Sequence, residues 1–485
     1  MGVRLRLPQK TSPRSPSYLL LCLLALSFFS FTALLLYKVD DFIAQTKLSP
    51  DITWNQHRGT SSRVNLSAKP RDALRLTGSS NALTSLVLTN LLSNQRVSCR
   101  NPPGRVVKPG KPNAQTFSGK ENAAFRVVIL SGKLYVDLYY ACVQSRMMFT
   151  VWGILQLLNK YPGMVPDVDM MFDCMDKPII NRTEPHKSFP APLFRYCTNE
   201  AHLDIPFPDW SFWGWSETNL RPWDEEFGDI KQGSKRSSWG SKQPRAYWKG
   251  NPDVVSPIRI ELMKCNHSRL WGAQIMRQNW AEEAKGGFEQ SKLSNQCNHR
   301  YKIYAEGYAW SVSLKYIMSC GSMTLIISPE YEDFFSRGLL PKENYWPVSP
   351  TDLCRSIKFA VDWGNANPSD AEAIGKRGQG YMESISMNRV YDYMFHLITE
   401  YAKLQKFKPE KPYSAKEVCE GSLLCFAEQK ERDLLEKSRV APSMDRPCTL
   451  PGEDRNILER LIQQKKKTIE DVRNMEMTRT ERGSR

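Results

Sequence analysis

At 485 residues, with 41% hydrophobic and 24% charged side chains, the chain can bury a sizeable core, has length for two compact domains, and is too apolar to be disordered. Its net charge of +16 raises nucleic acid or an anionic membrane as partners, but 17 Lys/Arg against 4 Asp/Glu fall within the first 120 residues. The rest is close to neutral and carries no basic stripe interleaved with stacking aromatics, which excludes nucleic acid as the expected partner.

Residues 1–17 hold Arg4, Arg6, Lys10 and Arg14, and residues 18–37 form a run of twenty without a charge, about the span of a bilayer core. The run is longer than a signal-peptide h-region, and no small-x-small cleavage site precedes Val39-Asp40-Asp41. With cations before the run and Asp40 and Asp41 after it, the expected topology is a cytosolic tail (1–17), a single-pass membrane anchor (18–37) and a lumenal remainder. Eleven of the twelve cysteines, all but Cys22, then face an oxidising compartment, so structural disulfides are expected, and the odd count leaves at least one outside them or paired between chains. No CxxC pair or Cys/His cluster has zinc-site spacing. Asn65, Asn181 and Asn266 open glycosylation sequons.

Residues 38–115 are rich in Ser, Asn, Lys, Arg and Pro, with one apolar helix-like stretch at 83–92, and read as a stem. Ordered structure is expected to begin with FRVVIL at 125–130, a buried-strand pattern, followed by a turn at Gly132 and the strand LYVDLYY. Apolar residues at helical spacing run from Met147 to Asn159, and VDMMFDCMD is another strand that runs into charge. Strand, helix and strand predict a parallel α/β unit over 116–244. A second unit over 245–405 reads as the strand RAYWKGN, helical IRIELMKCN, the strand KIYAEG, helical WSVSLKYIMSCGS and the strand MTLIIS at 323–328. Two doubly wound α/β domains joined by an aromatic segment imply a cleft, with ligands at the carboxyl ends of the strands. Residues 406–485 read as a helical extension, whose apolar positions from Leu458 to Val472 suit a solvated amphipathic helix or a short coiled coil.

Asp176, in MFDCMDKP, stands where a strand ends and Pro178 turns the chain out of the sheet, a place from which a carboxylate can take a proton from a hydroxyl. Asp173 can do the same, and either can instead cap the turn. Asp167-Val-Asp169 has the form of a cation-holding DxD triplet but opens a strand, which favours a solvated strand entrance. Lys249, Gly250 and Asn251 close a strand ahead of a helix with Arg259; the glycine permits close backbone approach, and the two cations can neutralise a diphosphate without metal. Glu306-Gly307 precedes Ser311, a helix N-cap or phosphate ligand, with Lys315 one turn later; a capped helix bearing a solvated lysine is the alternative. In PDWSFWGWSETNLRPW, Trp213 and Trp215 can stack on sugar faces or serve as core.

FDCMDKP, FPDWSFWGW, RAYWKGNP, HRYKIYAEGYAWSVSLKY with CGS after it, and YEDFFSRGLLPKENYWPV resemble, in this order, the protein O-glucosyltransferases related to fly Rumi and the fungal capsule-associated xylosyltransferases. The resemblance is strongest to the plant branch and covers roughly residues 115–405. It implies a GT-B fold of two Rossmann-like domains facing a cleft, a UDP-glucose or UDP-xylose donor, inversion at the anomeric carbon, and no metal or other cofactor. It implies Asp176 as catalytic base and Lys249, Gly250, Arg259, Ser311 and Lys315 at the UDP-sugar, with Asn251 and Glu306 beside them. Ser313 departs from the pattern, because the animal enzymes carry an arginine there, which leaves the diphosphate to Lys315 and Arg259. The expected acceptor is a protein or a glycan, the anchor and plant-type sequence favouring a glycan, at a Golgi membrane in preference to the endoplasmic reticulum. The alternative is a glycan-binding scaffold on the same fold whose chemistry has been lost.

Overall fold

The computed structural model describes residues 122–183, 192–450 and 455–483. The expected tail, anchor and stem, with Cys22, Asn65 and Cys99, lie outside the described residues, among which no helix is long and apolar enough to cross a membrane.

Strands β1 (Phe125–Leu130) and β2 (Lys133–Leu138) form a hairpin. Ser131 and Gly132, both at positive φ, make its two-residue turn, the kind whose twist matches that of the paired strands. Helix α1 (Arg146–Lys160) follows, and β3 (Val168–Phe172) pairs antiparallel with the other edge of β1. β4 (Leu193–Arg195) and β5 (Ile205–Pro206) extend the sheet in parallel. The expected strand–helix–strand unit exists as β2–α1–β3, whose strands point the same way, but β1 is wedged antiparallel between them. The first sheet is therefore mixed, a correction to the doubly wound reading. The cause is the Ser131–Gly132 turn, which is too short for the crossover that a parallel neighbour needs.

After α2 (Trp223–Lys235) come β6 (Gln243–Gly250), α3 (Pro257–Lys264), β7 (Ala273–Arg277), α4 (Trp280–Lys285), β8 (His299–Tyr304), α5 (Ser313–Met318), β9 (Met323–Ile327) and β10 (Trp346–Val348). These strands form a wholly parallel sheet in the order β10-β9-β8-β6-β7. From β6 the chain steps outward to β7 and later resumes on the other side at β8. Right-handed crossovers then put α3 and α5 on opposite faces, where they pack with α6 (Leu353–Ala366) and α7 (Pro368–Ser384). Every residue of β9 is buried, as a strand covered on both faces requires. The reversal between β6 and β8 is a topological switch point, the place in such sheets where a ligand crevice opens.

Helix α8 (Met387–Leu404) returns to the first sheet, where Tyr401 meets Phe194 edge-on at 5.0 Å and Tyr161 donates to Asp392 at 2.6 Å. Beyond it, β11 (Lys416–Val418) pairs antiparallel with β2, so the extension after residue 405 begins with a sheet strand. Helices α9 (Glu420–Phe426), α10 (Gln429–Lys437) and α11 (Arg455–Gly483) complete it. α11 is docked rather than solvated all round: Val472 is buried in the second core, Ser356 donates to Glu476 at 2.6 Å and Arg479 meets Asp362 at 3.1 Å. Disulfides join Cys142 to Cys174, Cys265 to Cys354 and Cys297 to Cys320. Cys197, Cys419, Cys425 and Cys448 are outside them.

Trp213 is wholly buried, and its indole occupies the slot left by Gly153 on α1, where a Cβ would fall 2.3 Å from the ring. Gly153→Ala is expected to displace that indole and destabilise the fold by about 1–3 kcal/mol, read from the denaturant midpoint.

Candidate active site

The carboxyl ends of β3 and β4 meet those of β8 and β9. Thr198, past β4, and Glu332, past β9, exchange backbone hydrogen bonds of 3.0 and 2.9 Å. Beside them the Lys177 ammonium lies 5.9 Å from the Tyr308 ring centroid.

Asp176 lies on the loop after β3, and almost every peptide around it is held. The carbonyl of Cys174 accepts from Arg146 at 2.9 Å, those of Met175 and Lys177 accept from Arg195, and that of Asp176 accepts from the Cys197 thiol at 3.0 Å. The N–H groups of Ile179 and Ile180 donate to Asp204. Asp176 itself is 34% exposed, with Oδ1 paired to Arg146 at 2.6 Å, while Oδ2 has no hydrogen-bond partner among the described residues. Asp173, the other candidate base, is fully buried in an ion pair with Arg195 and accepts the Tyr140 hydroxyl, so no acceptor can reach it.

Across the junction, Arg259 extends from the first turn of α3. Its Nη1 donates to the Asn251 carbonyl at 2.9 Å, and its Nη2 to the Ala305 carbonyl and the Ser311 hydroxyl, each at 3.2 Å. These acceptors are neutral, and no carboxylate lies within ion-pair distance of Arg259 among the described residues. Burial pulls its pKa down, opposed at longer range by Tyr304, Asp176 and Glu306, so the Asp176 carboxylate and this cation feel one another. Ser256 caps α3 by accepting the Arg259 N–H and donates to the Glu306 carbonyl at 2.8 Å. The Asn251 side chain closes a turn by accepting the Asp253 N–H at 2.9 Å. Gly250 lies over Trp248, whose indole a Cβ would meet at 2.5 Å. Gly250, Asn251, Arg259, Glu306 and Ser311 thus gather at the switch point.

Two expected donor ligands, Lys249 and Lys315, are engaged in ion pairs. The Lys249 ammonium pairs with Glu283 at 2.6 Å and donates to the Gln290 carbonyl at 2.8 Å, with 7% of its side chain exposed. Lys315 is buried in an ion pair with Asp209 at 2.9 Å, over the rings of Phe212 and Tyr316. Neither is solvated, and each cation is already met by a carboxylate. Ser311 accepts the Ser313 N–H at 3.4 Å, while the helix itself starts at Ser313, one residue later than a Ser311 cap predicts, with Val312 at the cap position. Glu306 braces the loop after β9 by accepting the N–H groups of Glu330 and Tyr331, and burial pushes its carboxyl up to about 7. Trp213 donates to Tyr391 at 2.9 Å in the core, which removes it as a stacking face; Trp215 is half-buried and meets Trp210 edge-on at 5.1 Å. In the DxD triplet, Asp167 accepts the Ser131 N–H at 2.6 Å and Asp169 pairs with Arg126.

A family model, Glycosyl transferase family 90, matches residues 111–476. The chain belongs to glycosyl transferase family 90. It is similar to the O-glucosyltransferase rumi homolog of Aedes aegypti, at 26% identity over 267 residues that cover 52% of this chain and 66% of the relative. It is also similar to Protein O-glucosyltransferase 1 of Homo sapiens, at 25% over 269 residues (53% and 67%), and to O-glucosyltransferase rumi of Drosophila melanogaster, at 24% over 273 residues (53% and 66%). The matches thus span about two thirds of the length of these curated relatives.

In this family 90 chain the residues that sequence reasoning missed are the ones that hold the site. Arg195 gave a signal, a charge inside the apolar strand LFR, and Asp209 gave another, an acid just before the tryptophan-rich segment. Because Lys315 is spent on Asp209, Lys315→Ala is expected to leave a buried, unpaired carboxylate. The expected cost is about 3–5 kcal/mol of stability in urea titrations, with UDP affinity of the folded fraction little changed.

Proposed function

We propose that the chain is an inverting glycosyltransferase of GT-B type that moves glucose from UDP-glucose to a hydroxyl of a protein acceptor. The observation that carries this reading is the pairing of Asp176, held on a pinned loop with Oδ2 free, with Arg259 and Ser311 at the switch point of the parallel sheet. In this mechanism Oδ2 takes the acceptor proton as the hydroxyl oxygen attacks the anomeric carbon from the side opposite the UDP. The negative charge that develops on the leaving diphosphate is met by Arg259, whose hydrogen bonds to neutral groups orient it without cancelling its charge. With Ser313 in place of an arginine and both Lys249 and Lys315 ion-paired, Arg259 is the principal cation of the donor site. The names of the relatives favour glucose over xylose and a protein over a glycan. The uncharged run 18–37 anchors the enzyme to a secretory-pathway membrane, Golgi or endoplasmic reticulum, and the three disulfides fit a lumenal catalytic region.

A donor screen on the full chain in detergent tests the chemistry. UDP release is expected from UDP-glucose above UDP-xylose and is expected to survive EDTA. Strict dependence on manganese would point to metal-assisted transfer, and binding of glycans with no turnover of any UDP-sugar would point to a scaffold.

Asp176→Asn keeps the shape of the side chain and removes its basicity. Turnover is expected to fall about 100- to 10,000-fold, with UDP affinity in calorimetry and the melting temperature close to wild type. Near-full turnover in a folded Asp176→Asn enzyme would reject Asp176 as the base.

A further inference from the structure

Arg146 is the first residue of α1, at the end where the helix dipole disfavours a cation. The favourable charge there is supplied by Glu217, which accepts from the Ser145 N–H at 2.7 Å and from its hydroxyl at 2.8 Å. Arg146 is nevertheless 12% exposed, and its Nε is buried without a hydrogen-bond partner. A charge so placed must be compensated by what its other atoms touch. Nη1 donates both to Asp176 Oδ1 at 2.6 Å and to the Cys174 carbonyl at 2.9 Å, and the guanidinium carbon lies 4.2 Å from the Trp210 ring centroid. Trp210 is set edge-on between Tyr196 and Trp215. The Cys142–Cys174 disulfide ties the segment just before Arg146 to the residue two before Asp176. Guanidinium and carboxylate are therefore held on two covalently joined segments, against a fixed aromatic face.

A carboxylate on an open loop turns freely about its last torsion, whereas a general base needs one oxygen kept within hydrogen-bond reach of the proton it removes. We propose that Arg146 is the positioning residue of the base: by occupying Oδ1 and the carbonyl two residues earlier, it fixes the carboxylate plane and presents Oδ2 to the acceptor hydroxyl. This inference rests on Asp176 being the base. A lysine is a poor substitute, because a single ammonium on a flexible stem does not reproduce the planar fork stacked on Trp210.

The test compares Arg146→Ala, Arg146→Lys and Asp176→Asn in the full chain, reading kcat, KM for UDP-glucose, UDP affinity and melting temperature. Arg146→Ala is expected to lower kcat about 100-fold while the donor KM stays within about twofold, the signature of a misplaced catalytic group rather than a lost binding contact. Added ethylguanidinium is expected to restore part of the kcat of Arg146→Ala and none of that of Asp176→Asn. Arg146→Lys should fold and fall between wild type and Arg146→Ala, and it decides the matter if the alanine variant does not fold. Full kcat in Arg146→Ala or Arg146→Lys alongside an inactive Asp176→Asn would overturn the positioning role and leave the base in place. Parallel loss of kcat, UDP affinity and melting temperature would also overturn it, in favour of a scaffold role. Full turnover in Asp176→Asn would remove the base itself, and the inference with it.

Discussion

Arg195 is 3% exposed, and its guanidinium meets Asp173 on one side and Asp204 on the other. Three charges removed from water cost several kcal/mol each unless every group around them is engaged. Here nearly all are: Asp173 also accepts from Tyr140, Asp204 takes two backbone N–H groups, and Arg195 donates to the carbonyls on either side of Asp176. The same charges thus satisfy four peptide groups, the carbonyls of Met175 and Lys177 and the N–H groups of Ile179 and Ile180, of a seven-residue stretch, 174–180, that belongs to no helix or strand. Without Arg195 those carbonyls lose their donor and two carboxylates are left buried together, so the loop that carries Asp176 depends on this cation more than on any apolar contact.

The second sheet is joined to this platform by polar contacts as well as by packing. Lys315 on α5 reaches Asp209 past the end of β5, and Asp209 also caps the short helix at Trp210–Phe212. Thr198 and Glu332 add backbone hydrogen bonds, and α8 brings aromatic side chains back against β4. The three cations expected at the donor differ in what holds them. Lys249 and Lys315 give their charge to structure, whereas Arg259 is oriented by carbonyl and hydroxyl oxygens that leave its charge in place. Burial pulls the Arg259 pKa down, so a bound diphosphate would relieve an existing cost as well as gain a hydrogen bond.

Much of this was legible in the chain. FRVVIL, VDMMF, the strand ending at Gly250 and MTLIIS are strands within a few residues of their expected bounds, because continuous apolar runs carry their own signal. Asp176, Gly250, Asn251, Glu306 and Ser311 were legible as candidates because they stand at or after strand ends, and Arg259 because it lies in the first turn of the helix that follows one. The antiparallel placement of β1 was not foreseen, although Gly132 marked the turn, since a sequence pattern shows that a chain reverses but not on which side of the hairpin the next strand will lie. Trp213 was equally ambiguous: an indole beside a glycine on another helix is core, and nothing near it in the chain says so.

The sequence by itself determined the principal strands and helices, the parallel character of the second sheet and the strand-end position of Asp176, because periodicity and chain punctuation act over a few residues. Only the tertiary structure decided which charges are free to act. The partner of Lys249 lies 34 residues away, that of Asp176 30 and that of Lys315 106, and the ion pairs that engage these three residues form only where folding brings those distant positions within about 3 Å.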